Sequence, residues 1–362
     1  MSRILIPVLG FDRTGGCRVL AELANAWIKR GHKVVFLAPG TSPEPYFPTK
    51  ANVLWADSRG LVSEERQAKR RPSARDNLTS LFRGLKRIGS GYDIALANHS
   101  LTAWPVALAP CGQARKFYYI QAYEPEVYTS LRTARGYVLA TLSASSYWLP
   151  IHRIVNAELY FHYRNLRATS MVPPGIDLGV FKPGPETTKR EDCVIIGCIG
   201  RPEPEKGTAY VLKAFEQLYR ENTKYRLRVA YGNLPHGWKH EGSEIVVPRN
   251  DHELADYYRS LDILVAAGTI QHGAPHYPVL ESWACGVAVI TTGYMGATDE
   301  TAWIVANRDA SAICQAVKEI VRDPGKRRAR IRRGLELAKN HSWDDVADRM
   351  LAVFANLEPC RP

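Results

Sequence analysis

The chain of 362 residues is 45% apolar and 23% charged, a balance typical of soluble globular proteins, and long enough for two domains with separate cores. No apolar run approaches the ~20 residues needed to span a bilayer. The seven Cys are scattered without a Cys-x-x-Cys pair, so neither a zinc site nor a disulfide framework is indicated. The net charge of +12, with a pI near 9.4, opens three classes of acidic partner: nucleic acid, an anionic membrane surface, or anionic substrates. Its two dense runs, 66–71 and 326–333, read individually as solvated helix faces.

Residues 3–9 read as a buried first strand with no secretory cleavage pattern after it, so a cytoplasmic location is expected. The loop Gly10-Phe-Asp-Arg-Thr-Gly-Gly16 leads into a helix. Val19, Leu20, Leu23, Ala24, Trp27 and Ile28 form its apolar stripe. Gly31 ends it and residues 33–38 form the next strand. The loop lacks the Gly-x-Gly-x-x-Gly spacing, and no acidic residue ends the second strand, so a dinucleotide fingerprint is absent. The pair Gly15 and Gly16 suits either a tight turn or close backbone approach to a phosphate or sugar.

Residues 40–90 are weakly patterned, with one helix expected. Three strands are predicted at 93–97, 116–120 and 138–142. They would deliver Asn98 to Ser100, Gln121 to Pro125 and Ser143 to Ser146 to their carboxyl ends, where open α/β sheets bind ligands. A lone His such as His99 is more often a satisfied structural residue than a catalyst. A short strand with a turn is read at 172–177, and the Pro/Gly-rich stretch 182–192 reads as a linker.

The α/β pattern then restarts. A strand at 193–199 is followed by the charged, glycine-bounded loop Gly200 to Gly207 and a helix over 208–219. Strands follow at 226–231 and 244–247, and then a helix capped by Asp251 that runs through Tyr258. A strand at 262–267 leads through a polar Gly/Pro-rich loop into a short helix ending at Gly286. Residues 287–292 are the next strand and 303–305 a short one. Helices are expected over 310–321, on to about 339, and over 343–357. Glu281 lies near the start of the short helix, where free N–H groups and the dipole favour an anion; an ordinary capping carboxylate is the alternative.

These motifs together resemble the family 4 glycosyltransferases. The resemblance rests on the Gly15-Gly16 turn, the strand at Asp93, Ser143, and the stretch 172–181. It continues through Gly200-Arg201 to Lys206-Gly207, Tyr258 to Asp262, and Leu280-Glu-Ser-Trp-Ala-Cys-Gly286. The segments 120–125 and 272–281 look most like a rhamnosyltransferase-type branch. The resemblance implies an α/β GT-B fold: two Rossmann-like domains facing each other across a cleft, with the C-terminal helix returning to the N-terminal domain. The expected bounds are 1–185, completed by helix 343–358, for the acceptor-side domain, and 190–340 for the nucleotide-sugar-binding domain.

The implied activity is retaining, metal-independent transfer of a hexosyl-type group from a nucleotide-diphosphate sugar to a saccharide or lipid-linked acceptor, with no cofactor. The rhamnosyl resemblance points to dTDP-rhamnose. Such chemistry builds negative charge on the departing diphosphate. Arg201 offers a fork and Lys206 a point charge to receive it, and these are the candidate catalytic residues. A surface ion pair with Glu203 or Glu205 is the plain alternative. Donor-nucleotide contacts are expected from Glu281, Gly200, Tyr277, Val279, Leu280 and Arg249, with Glu281 matching the family's ribose-binding Glu. Sugar or acceptor contacts are expected from Gly15, Gly16, His99, Gln121 and His276. The family usually has a second Glu eight positions before Glu281; here that position is Gly273, so a typical sugar contact is missing. Two other functions fit the sequence: a transferase acting on modified nucleic acid, supported by charge alone without a binding motif, and an inactive nucleotide-sugar-binding protein. Peripheral association with an anionic membrane, on the cytoplasmic face, is the remaining partner expectation.

Overall fold

A computed structural model describes residues 1–66, 74–185, 192–269, 275–294 and 296–356. The chain divides into two compact units, residues 1–175 with 343–362, and residues 176–342.

The first unit begins with β1 (Arg3–Pro7), α1 (Gly15–Lys29), β2 (Lys33–Pro39), β3 (Asn52–Ala56), β4 (Val62–Ser63) and α2 (Ala74–Ile88). It continues with β5 (Ile94–Ala97), α3 (Ser100–Leu108), β6 (Arg115–Ile120), α4 (Glu124–Thr129), α5 (Ala134–Ser146), β7 (His152–Val155) and β8 (Ser170–Met171). Its strands form one sheet in the order β4-β3-β2-β1-β5-β6-β7-β8. All neighbours are parallel except β3 and β4. The central strands are apolar throughout because a parallel sheet is covered on both faces; Ile4, Leu5, Ile6, Ile94, Ala95 and Leu96 are all buried.

The second unit contains β9 (Val194–Ile199), α6 (Thr208–Glu221), β10 (Tyr225–Ala230), β11 (Ser243–Val246), α7 (Asp251–Arg259) and β12 (Ile263–Ala266). Then come α8 (Tyr277–Ala284), β13 (Ala288–Thr291), β14 (Trp303–Ile304), α9 (Ala310–Arg322) and α10 (Pro324–Lys339). Its sheet is parallel in the order β11-β10-β9-β12-β13-β14. Alternation along the strands divides its core into two layers, as the period of two requires. Ile196, Cys198, Ile263, Val265 and Ile290 pack against α6 and α9. Leu264, Ala266 and Val289 pack against α7, α8 and α10.

The last helix, α11 (Trp343–Asn356), belongs to the first unit. Phe354 sits between Trp27 and Phe117, with ring centroids 5.7 and 4.7 Å away, and the Trp27 indole N–H donates to the Ala347 carbonyl at 3.2 Å. At the rim of this contact Arg30 forks onto Asp348, with Nε–Oδ1 at 2.6 Å and Nη2–Oδ2 at 2.8 Å, and reaches Asp344 at 2.7 Å.

Several elements differ from the sequence reading. Residues 138–142, expected as a strand, lie inside helix α5. A five-residue apolar run does not by itself distinguish a strand from a helix. Ser143 is consequently buried on that helix rather than presented at a strand end. The pairing at 172–177 is reduced to one isolated bridge from Ile176 to Ser342, and the strand there is β8, just upstream. The cap of α7 is Asn250, whose side chain accepts the Glu253 N–H, one residue before the expected Asp251. The chain leaves the first unit after Gly175 rather than near 185. Parts of the basic run at 66–71 and of the linker, and the end expected for the last helix at 357–358, lie outside the described residues.

The Arg30 cluster gives a pH-dependent expectation. Lys29 and Arg30 hold the Asp344 carboxyl below its usual range, and Arg30 does the same to Asp348. A carboxyl with a depressed folded pKa stabilises the fold above its unfolded pKa of about 4 and loses that contribution as pH falls through the folded value. Both Asp side chains are about half exposed, so the effect belongs with partly screened pairs at ~1 kcal/mol. Arg30→Met is expected to lower the melting temperature at pH 7 and to flatten the loss of stability as pH falls below ~4. An unchanged melting temperature at pH 7 would show that the cluster is a surface ornament.

Candidate functional site

Each sheet has one position where the strand order reverses, and crevices at such points are where open α/β sheets take ligands. In the second unit the reversal falls between β9 and β12: β10 and β11 extend to one side, β13 and β14 to the other. The loops leaving β9 and β12 therefore meet there. They are joined backbone to backbone. The Thr269 N–H donates to the Glu205 carbonyl at 2.7 Å, and the Thr292 hydroxyl donates to the Gly268 carbonyl. Gly207 has φ +76° and lies so close to β12 that an added Cβ would fall 1.8 Å from the Ala267 oxygen. At Gly200 an added Cβ would fall 1.7 Å from the Gly232 oxygen. Both glycines that bound the loop are thus required by the protein's own backbone.

Within this loop, the Arg201 N–H donates to the Thr208 hydroxyl at 3.1 Å, and that hydroxyl donates to the Arg201 carbonyl at 3.0 Å. The Arg201 guanidinium forks onto Glu203 at 3.3 and 3.1 Å, with both side chains well exposed. The surface pair anticipated from the sequence is therefore present. Lys206 ends a one-turn 3-10 helix, Pro204–Lys206, its N–H donating to the Glu203 carbonyl at 2.9 Å; its ammonium makes no hydrogen bond or ion pair among the described residues.

Helix α8 begins opposite. Its cap, His276, stacks on Tyr294 with centroids 4.0 Å apart and planes 15° from parallel. The His276 Nδ1 is buried and has no hydrogen-bond partner among the described residues. Burial, and then the positive charges of Lys206 and Arg201, push its pKa down to about 3. The two cations and the start of α8 thus share one electrostatic environment. Tyr277 is the first residue of α8. The side chains of Val279 and Leu280 are buried in the core, and their N–H groups donate to the His276 carbonyl at 3.0 and 3.3 Å. Glu281 is only 3% exposed, and its Oε2 accepts the Tyr258 hydroxyl at 2.9 Å. Arg249 lies apart from this group, beyond the edge strand β11, where it is bonded to Glu253. Gly273 and the neighbouring residues 270–274 lie outside the described residues.

In the first unit the reversal falls between β1 and β5. The turn at Gly15 and Gly16 follows β1 and starts α1. Gln121, just after β6, reaches back across it, its Nε2 donating to the Gly16 carbonyl at 3.4 Å. An added Cβ on Gly16 would meet nothing nearer than the Gln121 amide at 3.5 Å, an ordinary contact. His99 caps α3: its Nδ1 accepts the Leu101 N–H at 3.0 Å, and Nε2 lies 3.2 Å from the Tyr128 hydroxyl. Both ring nitrogens are thus engaged by the protein. Next to it the buried Glu124 accepts the Ser100 N–H at 2.9 Å and the Tyr118 hydroxyl at 3.3 Å. Asp12 faces the same rim. Burial raises its pKa, but the Thr14 hydroxyl and N–H outweigh this and hold it below the usual carboxylate range, helped by nearby His99.

Each sequence-predicted group is thus brought to the reversal point of its own sheet, except Arg249. The sequence reading missed Thr208, Thr269 and Tyr294, which hold the loops together, and Tyr128 beside His99; Glu124 falls within the stretch 121–125 placed at a strand end, without a role of its own there. Thr208 directly after Gly207 was the one legible signal, a hydroxyl at a helix start.

Comparison with known families now bears on this geometry. Residues 13–180 match the model of Glycosyltransferase Family 4, and residues 193–323 that of Glycosyl transferases group 1. Among curated proteins, the chain is 27% identical over 223 residues to a D-inositol 3-phosphate glycosyltransferase of Stackebrandtia nassauensis, covering 52% of this chain and 48% of that protein. It is 26% identical over 208 residues to the protein of the same name from Segniliparus rotundus, covering 51% and 46%. The chain thus spans about half the length of the curated relatives it matches. Among solved structures, sucrose-phosphate synthase from Thermosynechococcus elongatus superposes with a TM-score of 0.74 at 17% identity over 98% of both chains. Anabaena HepE in complex with UDP-glucose gives 0.70 at 13% identity over 99% of this chain and 100% of that one. At these identities the likeness establishes the fold, two Rossmann-like domains of the GT-B type.

The buried imidazole supplies a test of the site's electrostatics. With a folded pKa of about 3 against ~6.5 unfolded, the unfolded chain binds the extra proton between those values. His276 therefore costs stability progressively as pH falls below ~6.5. NMR of 15N-labelled imidazoles is expected to show His276 neutral from pH 8 to pH 5. A titration midpoint near 6.5 would place the ring in solvent, away from the two cations.

Proposed function

We propose that this chain, which joins a glycosyltransferase family 4 domain to a glycosyl transferases group 1 domain on a GT-B fold, moves a sugar from a nucleoside diphosphate to a hydroxyl acceptor. The observation that carries the reading is the pairing of Arg201 and Lys206 with the start of α8 at the strand reversal of the second unit. Cleaving the anomeric C–O bond leaves charge on the diphosphate. A helix start and two cations receive it best when it is fully formed, which is the condition for accelerating the step. The Lys206 ammonium has no partner to give up among the described residues. Arg201 must exchange Glu203 for phosphate, and breaking an exposed pair costs only ~0–1 kcal/mol.

The remaining assignments follow the same chemistry. Glu281, fixed by Tyr258 inside α8, is assigned to the nucleotide ribose. Neutral His276, between the cations and Tyr294, is assigned to the sugar. In the first unit Gly16, where among the described residues an added Cβ would make only ordinary contacts, is assigned to the acceptor, with Gln121 and His99 alongside. We assign transfer with retained configuration and without a metal ion, the diphosphate taking the acceptor proton. The curated relatives act, by name, on D-inositol 3-phosphate, whereas segments 120–125 and 272–281 resemble rhamnosyltransferases. The acceptor set therefore pairs D-inositol 3-phosphate with saccharide and lipid-linked acceptors, and the donor set includes UDP-, GDP- and dTDP-sugars, dTDP-rhamnose among them.

The test is turnover of the donor set, with and without EDTA, and the anomeric configuration of the product. With a working pair, Lys206→Ala is expected to lower turnover by on the order of 10²–10³ and barely move the melting temperature. Arg201→Lys is expected to be impaired as well, because a point charge cannot replace a fork. Wild-type turnover in Lys206→Ala would remove the phosphate assignment. A large fall in melting temperature without ligand would make the lysine structural. Nucleotide binding without any turnover across the full set would favour a binding protein over an enzyme.

A further inference from the structure

Helix α5 turns its larger apolar side chains toward solvent. Its buried positions are the small residues Gly136, Ala140, Ser143 and Ser146. Its outward positions recur at helical spacing: Tyr137 and Val138, then Thr141 and Leu142, then Ser145, and Trp148 in the turn that prolongs the helix. Val138 is 67% exposed, Trp148 66% and Tyr137 56%. Leu131, just before the helix, is 58% exposed. A surface helix ordinarily turns such residues inward; here the arrangement is inverted, and exposed contiguous apolar faces mark sites of association.

Along the chain this segment carries charge of one sign, the nearest acids in sequence being the exposed Glu126 of α4 and Glu158. No Asp or Glu occurs from Val127 to Ala157, while Arg132 and Arg135 flank the apolar positions. Arg167 lies over the Trp148 ring, 4.7 Å from its centroid. We propose that this face docks on an anionic lipid bilayer. Aliphatic side chains would enter the acyl boundary, Tyr137 and Trp148 would sit at headgroup level, and the arginines would meet the lipid phosphates. A second copy of the chain is disfavoured as the occupant, because pairing the face with itself opposes arginine to arginine. Among the described residues no helix is long and apolar enough to cross a membrane, so the association is peripheral.

The experiment is co-sedimentation of the full chain with vesicles of phosphatidylcholine alone and of phosphatidylcholine mixed with phosphatidylglycerol. Binding is expected to the mixed vesicles, to weaken as salt rises, and to fall on the order of tenfold or more in Val138→Asp and in Trp148→Ser. Arg135→Glu is expected to lower binding selectively on the anionic vesicles. All three positions are exposed, so thermal melts should be close to wild type and soluble-acceptor turnover unchanged, which separates this inference from the proposed chemistry. Equal binding by wild type and Val138→Asp, or no binding to the mixed vesicles, would overturn it. So would a dimer in sedimentation velocity without vesicles that Val138→Asp dissolves, since the face would then join two copies.

Discussion

The second unit depends on backbone meeting backbone at the reversal of its sheet. The loop after β9 reaches the end of β12 because Gly207 carries no Cβ, and it leaves β9 against the loop after β10 because Gly200 carries none; added Cβ atoms would fall 1.8 Å from the Ala267 oxygen and 1.7 Å from the Gly232 oxygen. That proximity closes the hydrogen bond from Thr269 to Glu205 and brings Arg201 and Lys206 within electrostatic reach of His276. A charged loop over a sheet edge would otherwise be free to turn to solvent, and its cations would be worth little in water. The glycines thus act on chemistry at one remove, by setting where the charges are held.

The same loop carries the two cations for which the sequence allowed either a surface ion pair or phosphate binding. Arg201 does pair with Glu203, as the plain reading allowed, yet an exposed pair of this kind is weak enough to be surrendered to a phosphate. Lys206 is different: three residues of 3-10 helix fix its backbone, while its ammonium makes no ion pair among the described residues. The two cations are therefore not equivalent, one being paired with an acid and the other unpaired among the described residues. Burial and both cations push the His276 pKa down to about 3, so the local positive charge is expected not to vary with its protonation near neutral pH.

The order of strands and helices in the second unit could be read almost entirely from sequence, because each buried strand is a continuous apolar run and each helix carries a clear stripe. The first unit was harder. The run 138–142 is apolar and partly β-branched and reads as a strand, but α5 turns those residues outward and buries Gly136 and Ala140, so the periodicity was inverted rather than missing. Gly15, Gly16, His99 and Gln121 were found by position at strand ends, whereas the roles of Glu124 and Tyr128, both in α4, show only in their contacts with Ser100 and His99. Arg249 shows the limit of a motif: its place in the chain says nothing of the edge strand that carries it away from β9.

The return of α11 has a consequence for how the chain acquires its structure. Phe354 fills the space between Trp27 and Phe117, so the core of the first unit has a gap until residue 354 has been made. The second unit, residues 176–342, has all its strands and helices earlier. During synthesis the later-encoded unit can therefore complete its packing first, while the first-made segment waits with apolar surface uncovered. Contacts so distant in sequence are slow to form, and segments left open in this way are those that aggregate or engage chaperones.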